Sequence, residues 1–196
     1  MTARRLVLGS TSRYRAELLQ RLGLTFEARA PGTVENEIAG EAPAIRAMRL
    51  ATAKATDAGA GAELPDALVI GSDQVAELDG VLLDKPGSIE RAHAQLSACS
   101  GRTIYFHTAL CVLDTRDNRR YTHLDLTRVH FRPLEAAEIT RYIEQEQPLD
   151  CAGSFKCEGL GISLFERIDS SDPTALIGLP LIALAQLLRD AGLSVP

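Results

Sequence analysis

Apolar residues along this chain fall into two patterns, short continuous runs and longer stretches with helical spacing. The runs predict strands, and the clearest of them cover residues 4–9, 25–30, 66–73, 102–114 and 119–134. The helically spaced stretches are bounded by Ser, Pro or Gly and predict helices over residues 11–24, 43–60, 88–101, 135–148 and 181–193. Within residues 74–86, the Asp79-Gly80 pair is typical of a two-residue hairpin turn.

The order of these elements indicates the fold class. Strands and helices alternate, but the middle of the chain carries consecutive strands, which are not typical of a purely parallel sheet. We therefore expect an α/β fold with a mixed, twisted central sheet flanked by helices. Because no internal repeat and no linker rich in Pro, Gly or Ser interrupts the sequence, residues 1–196 are predicted to form a single domain with two lobes.

Composition and charge narrow the classes of function. The chain has 196 residues, of which 45% are hydrophobic, and this is enough for one well-buried core. A net charge of −5 argues against a protein that binds duplex nucleic acid, because such proteins usually present a basic face. No window approaches the ~20 apolar residues of a membrane helix. The first residues lack the apolar region of a secretory signal, so we expect a cytoplasmic protein.

Cysteine and histidine positions do not suggest a metal centre. The four cysteines form no C-x-x-C pair, no histidine pair stands near them at zinc spacing, and the four histidines lie far apart in sequence. We interpret the cysteines as reduced thiols and the histidines as core or surface residues.

The turn after the first strand has features of an anion site. Small hydroxyl residues, including Ser10 and Ser12, precede a predicted helix, where free backbone N–H groups and the helix dipole favour negative charge. Arg13 and Arg15 add positive charge beside them. The same residues also fit an ordinary serine-capped helix with solvated arginines. The common Gly-rich nucleotide-binding fingerprints are absent.

Asp73 follows the apolar run of the predicted strand 66–73. At the carboxyl end of that strand it would lie where open α/β sheets bind ligands. A carboxylate there can hold a divalent cation or orient a water molecule. The alternative is a buried aspartate that is satisfied by the backbone.

Lysines supply the other candidate contacts to an anion. Lys54 lies on an alanine-rich helix and Lys85 follows the hairpin, and each suits either a phosphate contact or an ordinary surface. The segment 153–161 is rich in glycine and also carries Lys156 and Glu158. Glycine lets backbone approach a ligand closely, although the segment also fits an ordinary flexible loop.

Taken together, these segments resemble the Maf family of nucleoside triphosphate pyrophosphatases. The resemblance rests on LGSTSRYRAELL, Lys54, IGSDQV, DKP, CAGSFKCEGLG and LIGLPL, in that order, from about Leu6 to Leu188. GSDQV together with CAGSFKCEG is similar to the YceF-type branch, whose activity is assigned to 7-methyl-GTP. The resemblance implies the Maf fold, which is like that of inosine triphosphate pyrophosphatases and has a cleft between two lobes.

The resemblance also implies a reaction and a set of residues. The reaction is hydrolysis of a nucleoside triphosphate between the α and β phosphates, and the family's proton acceptor falls on Asp73. Glu35 and Asp73 are expected at a divalent cation, with Mg²⁺ as the default for oxygen ligands and Mn²⁺ or Co²⁺ as alternatives. The planar fork of Arg15 suits phosphate oxygens. The expected phosphate-binding residues are Ser10, Ser12, Arg15, Lys54, Lys85 and Lys156.

Specificity positions of the family fall on Tyr14, Gln74 and Glu158. The Glu158 carboxylate could accept the two N–H donors on one edge of guanine. The Tyr14 ring could stack on a base that N7 methylation makes cationic. The sequence departs from the family pattern in having Arg13 for a proline, Val34 for an aspartate and Asp84 for a glycine.

Two other functions stay open at this point. One is a nucleotide-binding regulator of cell division with little turnover, in line with the family's older association with septum inhibition. The other is a pyrophosphatase for dTTP and UTP. In each case the partner is a small nucleotide, with no nucleic acid or membrane. Family members are often homodimers, and the apolar stripe of the last helix fits the core first and a dimer contact second.

Overall fold

The computed structural model of the protein describes residues 4–60 and 63–195, and within them it contains five α-helices and one sheet of seven strands. The helices are α1 (Arg13–Gln20), α2 (Pro43–Gly59), α3 (Ile89–Cys99), α4 (Ala136–Glu146) and α5 (Leu181–Asp190). The strands are β1 (Arg5–Gly9), β2 (Glu27–Arg29), β3 (Ala67–Leu78), β4 (Val81–Leu82), β5 (Thr103–Asp114), β6 (Arg119–Phe131) and β7 (Phe165–Asp169). Short 3₁₀ helices cover Ala152–Ser154, Leu160–Leu164 and Ala175–Ile177.

The sheet is mixed, as the element order predicts. Its strands lie in the order β2-β1-β3-β5-β6-β7, and β4 pairs with β3 outside this path. β1 pairs in parallel with both β2 and β3, whereas β4 pairs antiparallel with β3 and β7 pairs antiparallel with β6. The predicted α/β fold with a mixed sheet is therefore confirmed.

The strand that carries Asp73 is longer than the sequence pattern indicates. Its pairing with β1 ends at Ile70, but β3 continues without a break to Leu78 and pairs there with β4. The prediction that Asp73 ends its strand is wrong. Beyond its pairing with β1, β3 also lies beside β5 and pairs with β4 at Glu77 and Leu78, so the strand continues past Asp73. Asp79 and Gly80 both have positive φ, at 50° and 82°, which confirms the predicted hairpin turn.

Two compact units make up the described chain. The first contains residues 4–60, 63–74, 108–125 and 172–195, and the second contains residues 75–107 and 126–171. An apolar cluster fills the first unit and includes Leu184 and Leu188, so the stripe of α5 belongs to the core. Four phenylalanine rings pack edge to face in the second unit, at centroid distances from 4.8 to 5.6 Å. The single domain over residues 1–196 stays a prediction.

Two glycines allow α2 to lie close to the sheet in the first unit. A Cβ added at Gly9 would lie 2.8 Å from the Lys54 carbonyl oxygen, and one added at Gly71 would lie 2.1 Å from the Ala51 carbonyl oxygen. Any side chain at either position would therefore push the helix away from β1 or β3. This close approach brings the Lys54 side chain to β3. No helix of the described residues is long and apolar enough to cross a membrane.

Candidate active site

A lysine held between two carboxylates forms the centre of the candidate site in the first unit. The Lys54 Nζ lies 2.5 Å from Asp73 Oδ1 and 2.6 Å from Glu35 Oε1. Lys54 and Asp73 are buried, with exposures of 8% and 6%, whereas Glu35 is exposed. Lys54 is therefore not an ordinary surface lysine. The structure brings together three residues that the sequence places on a helix, a loop and a strand.

Burial changes the acidity of Asp73. It raises the pKa of the Asp73 carboxyl above its ordinary value, and the positive charges of Lys54 and then Arg15 partly oppose this effect. Asp73 thus combines a buried position with two nearby cations. A carboxylate with a raised pKa is a better proton acceptor than an ordinary surface aspartate when it is ionised.

The turn before α1 is organised by its two serines. The Ser10 hydroxyl oxygen accepts the Ser12 N–H at 3.1 Å, and the Ser12 hydroxyl oxygen accepts the Arg15 N–H at 3.4 Å as the helix N-cap. The predicted serine cap of α1 is therefore confirmed, whereas Arg15 is not the solvated arginine of that alternative. In both bonds the serine oxygen accepts, so these bonds do not use the O–H of either serine.

The Arg15 side chain is oriented by a loop that contributes none of the predicted site residues. Arg15 Nε donates to the Gly178 carbonyl oxygen at 2.9 Å, and the Ser72 hydroxyl donates to the same oxygen at 2.9 Å. Gly178 adopts a φ of 113°, a region that favours glycine. Burial lowers the pKa of Arg15, while the charges of Asp73 and Glu35 oppose that shift. The only sequence signal for this loop is the LIGLPL segment of the resemblance.

Gln74 anchors the same loop. Its side-chain nitrogen donates toward the Thr108 hydroxyl oxygen at 3.0 Å and the carbonyl oxygens of Ala175 and Leu176 at 3.0 and 3.1 Å. The Thr108 hydroxyl also donates to the Ala175 carbonyl oxygen, at 3.1 Å. Gln74 therefore holds the 3₁₀ turn that precedes Gly178. The role of Gln74 in substrate specificity stays a prediction.

Tyr14 is paired with its neighbour in the first unit. The Arg13 guanidinium lies 4.8 Å from the centre of the Tyr14 ring and donates to the Tyr14 hydroxyl at 2.9 Å. The departure from the family pattern at Arg13 thus places a cation on one face of this ring. Stacking of a cationic base on Tyr14 stays a prediction, and it would require the ring face opposite Arg13 or the displacement of Arg13.

The remaining predicted residues lie in the second unit. Lys85 and Glu158 are exposed there, and Cys157 Sγ lies 3.4 Å from a Glu158 carboxylate oxygen. Lys156 Nζ donates to the Glu146 carbonyl oxygen at 2.8 Å and so binds the C-terminal end of α4. A phosphate contact by Lys156 stays a prediction, and it would require the ammonium group to leave that carbonyl.

The donor set near Lys54 fits a divalent cation that prefers oxygen ligands. No group of three or more His, Cys, Asp and Glu side chains suited to a metal occurs in residues 4–60 and 63–195. Glu35 and Asp73 nevertheless place carboxylate oxygens within 2.6 Å of one ammonium nitrogen, so both can face a single cation. Mg²⁺ typically binds through one or two carboxylates, substrate phosphates and water. Val34, beside Glu35, is 72% exposed and adds no ligand.

Known proteins match this chain over nearly its whole length. The model of the Maf-like protein family matches residues 5–191. A 7-methyl-GTP pyrophosphatase of Xanthomonas oryzae pv. oryzae (strain MAFF 311018) is 57% identical over 192 residues, which are 98% of this chain and 99% of the relative. A 7-methyl-GTP pyrophosphatase of Burkholderia orbicola (strain AU 1054) is 53% identical over 188 residues, which are 95% of this chain and 90% of the relative. The chain belongs to the Maf family.

Proposed function

We propose that the protein hydrolyses 7-methyl-GTP between the α and β phosphates and releases 7-methyl-GMP and pyrophosphate. The observation that carries this proposal is the buried Lys54–Asp73 pair, in which a carboxylate with a raised pKa lies beside a cation. The names of the relatives supply the substrate. The proposal thus joins a site suited to phosphate hydrolysis to a nucleotide class.

In this proposal Asp73 accepts a proton from the attacking water. A triphosphate carries about four negative charges, so the site must supply positive charge and fixed hydrogen-bond donors. Arg15 is held through its Nε by the Gly178 carbonyl oxygen, and the terminal nitrogens of its guanidinium fork are the proposed donors to phosphate oxygens. The hydroxyls of Ser10 and Ser12, together with Lys54, Lys85 and Lys156, are the other proposed phosphate contacts.

Glu35 and Asp73 are the proposed ligands of a divalent cation. When bound, such a cation neutralises phosphate charge and orients the phosphate oxygens. Mg²⁺ is the proposed metal because the ligands are carboxylate oxygens, with Mn²⁺ and Co²⁺ as alternatives. Lys54 would then exchange part of its contact with the two carboxylates for phosphate oxygens.

We propose that the methylated base is selected through one edge and one face of its ring. The Glu158 carboxylate would accept the N1–H and N2–H of guanine, and Tyr14 would stack on the cationic ring. Gln74 would affect the choice of base through the 3₁₀ turn that it anchors.

The cytoplasmic location and the homodimer stay predictions.

The function is tested by measuring pyrophosphate release with Mg²⁺ from 7-methyl-GTP, GTP, dTTP, UTP and CTP. We expect the highest kcat/KM for 7-methyl-GTP. Preference for dTTP or UTP would contradict the proposed substrate but retain the reaction. Nucleotide binding without pyrophosphate release from any substrate would contradict the enzyme and support the regulator of cell division.

Asp73 should make the stability of the protein without metal or nucleotide depend on pH. Because burial raises the pKa of its carboxyl above the ordinary value of 3.8, the folded state holds this proton more tightly than the unfolded state does. This contribution to stability is present at low pH and is lost as pH rises through the raised pKa. Asp73→Asn should remove it, which urea unfolding of both proteins between pH ~4 and ~7 measures. An unchanged pH dependence of the free energy of unfolding in the variant would contradict the raised pKa of Asp73.

A further inference from the structure

We propose that Gln95 is a positioning residue. It fixes the backbone that presents Lys85, and it joins this backbone to the glycine-rich segment 151–161 of the second unit. Neither the family resemblance nor the predicted site residues include Gln95. The inference rests on the proposed function, because Lys85 is a phosphate contact only within it. Its experiment is therefore chosen to give different results for the two proposals.

The side-chain amide of Gln95, on α3, makes one hydrogen bond with each of the two segments. Its Oε1 accepts the Ser154 hydroxyl at 2.5 Å, and its Nε2 donates to the Asp84 carbonyl oxygen at 2.9 Å. Asp84 directly precedes Lys85, so the second bond acts on the backbone at Lys85. One rigid amide thus connects two segments that are far apart in sequence.

The burial and the backbone conformation of Ser154 make its hydrogen bond to Gln95 important. It is fully buried and has a φ of 61°, and Gly153 before it has a φ of 73°. A residue with a Cβ rarely adopts this left-handed conformation unless its surroundings hold it there. A buried hydroxyl also needs a hydrogen-bond partner, which Gln95 provides. The Gln95–Ser154 bond therefore stabilises an unusual turn in the middle of the segment 151–161.

The loop that carries Lys85 is fixed on both sides. Gln95 binds its backbone at Asp84, and the Gly87 N–H donates to the Leu149 carbonyl oxygen at 3.1 Å. Pro86, between these points, is buried. The exposed Lys85 side chain thus extends from a backbone with little freedom. Such preorganisation lowers the entropic cost of binding a phosphate and should appear mainly in substrate affinity.

The two hydrogen bonds of Gln95 can be removed separately. Gln95→Glu keeps an oxygen for the Ser154 hydroxyl but loses the N–H donor to Asp84 and places a carboxylate against its carbonyl. Ser154→Ala removes the other bond and keeps the donor to Asp84. Gln20→Glu, at an exposed position of α1, is the matched control for the change of charge.

We expect Gln95→Glu to raise the KM for 7-methyl-GTP by about five- to tenfold, with kcat changed by less than about twofold. Ser154→Ala should have a smaller effect on KM, and Gln20→Glu should have none. Thermal unfolding identifies any variant that fails to fold.

A double-mutant cycle with Lys85→Ala tests whether Gln95 acts through Lys85. In the Lys85→Ala background, Gln95→Glu should cause no further rise in KM. An undiminished effect there would overturn the proposal, since a general structural role would not depend on Lys85. Unchanged KM in the single variant would also overturn it.

The same cycle can be measured as the dissociation constant for 7-methyl-GTP by calorimetry. If the wild-type protein binds this nucleotide without hydrolysing it, the proposed function fails, but the coupling between Gln95 and Lys85 is still measured. If Lys85→Ala does not weaken binding, Lys85 is not a phosphate contact and the inference about Gln95 is overturned, whatever the turnover.

Discussion

Replacing Asp73 with asparagine should lower kcat for pyrophosphate release by about 10²–10⁴-fold, while nucleotide binding is largely kept. Asparagine has nearly the same shape as aspartate, but its neutral amide cannot act as the proton acceptor. It also removes one of the two negative charges that face Lys54. The measurements are steady-state kinetics with 7-methyl-GTP and, separately, the dissociation constant of the nucleotide.

A loss of activity after this change has to be distinguished from a general loss of structure. Asp125 offers a matched control because it is also buried, with an exposure of 2%, and lies on β6 in the same unit. Asp125→Asn should lower stability without lowering kcat at a temperature where the variant is folded. If Asp73→Asn kept kcat within about tenfold of the wild-type value, Asp73 would not be the proton acceptor.

Much of the fold can be predicted from local sequence features. Ser12 and Ser88 cap α1 and α3, and Asp79-Gly80 forms the hairpin turn, as expected from the chemistry of these residue types. Each of these features depends on neighbours within a few positions. The order of strands and helices, which gives the mixed sheet, is also visible in the pattern of apolar residues.

The environment of the site could not be predicted in the same way. The length of β3 past Asp73 depends on pairing with other strands, and the burial of Lys54 depends on which face of an alanine-rich helix meets the sheet. The bonds from Ser72 and Arg15 to Gly178 join residues more than a hundred positions apart. Nothing in the residue types near Gly178 indicates these partners before the chain is folded.

Gly71 connects the fold to the site, and Gly71→Ala should be strongly destabilising. The added Cβ would lie 2.1 Å from the Ala51 carbonyl oxygen and 2.5 Å from the Ala55 N. Both are backbone atoms of α2, so no side-chain rotation can relieve the contact. The helix would have to move away from β3. We expect the free energy of unfolding to fall by about 3 kcal/mol, the upper part of the range for overpacking.

The same displacement should also lower activity in the protein that remains folded. Lys54 extends from α2 to Asp73 on β3, and its 2.5 Å contact depends on the short distance between these elements. Urea unfolding gives the change in stability, and kcat is measured at a temperature where the variant is folded. Gly32→Ala is the control, because an added Cβ there has no atom within 4 Å, so stability should change by less than about 0.5 kcal/mol. If Gly71→Ala matched this control in both stability and kcat, close packing of α2 on β3 would not be what positions Lys54.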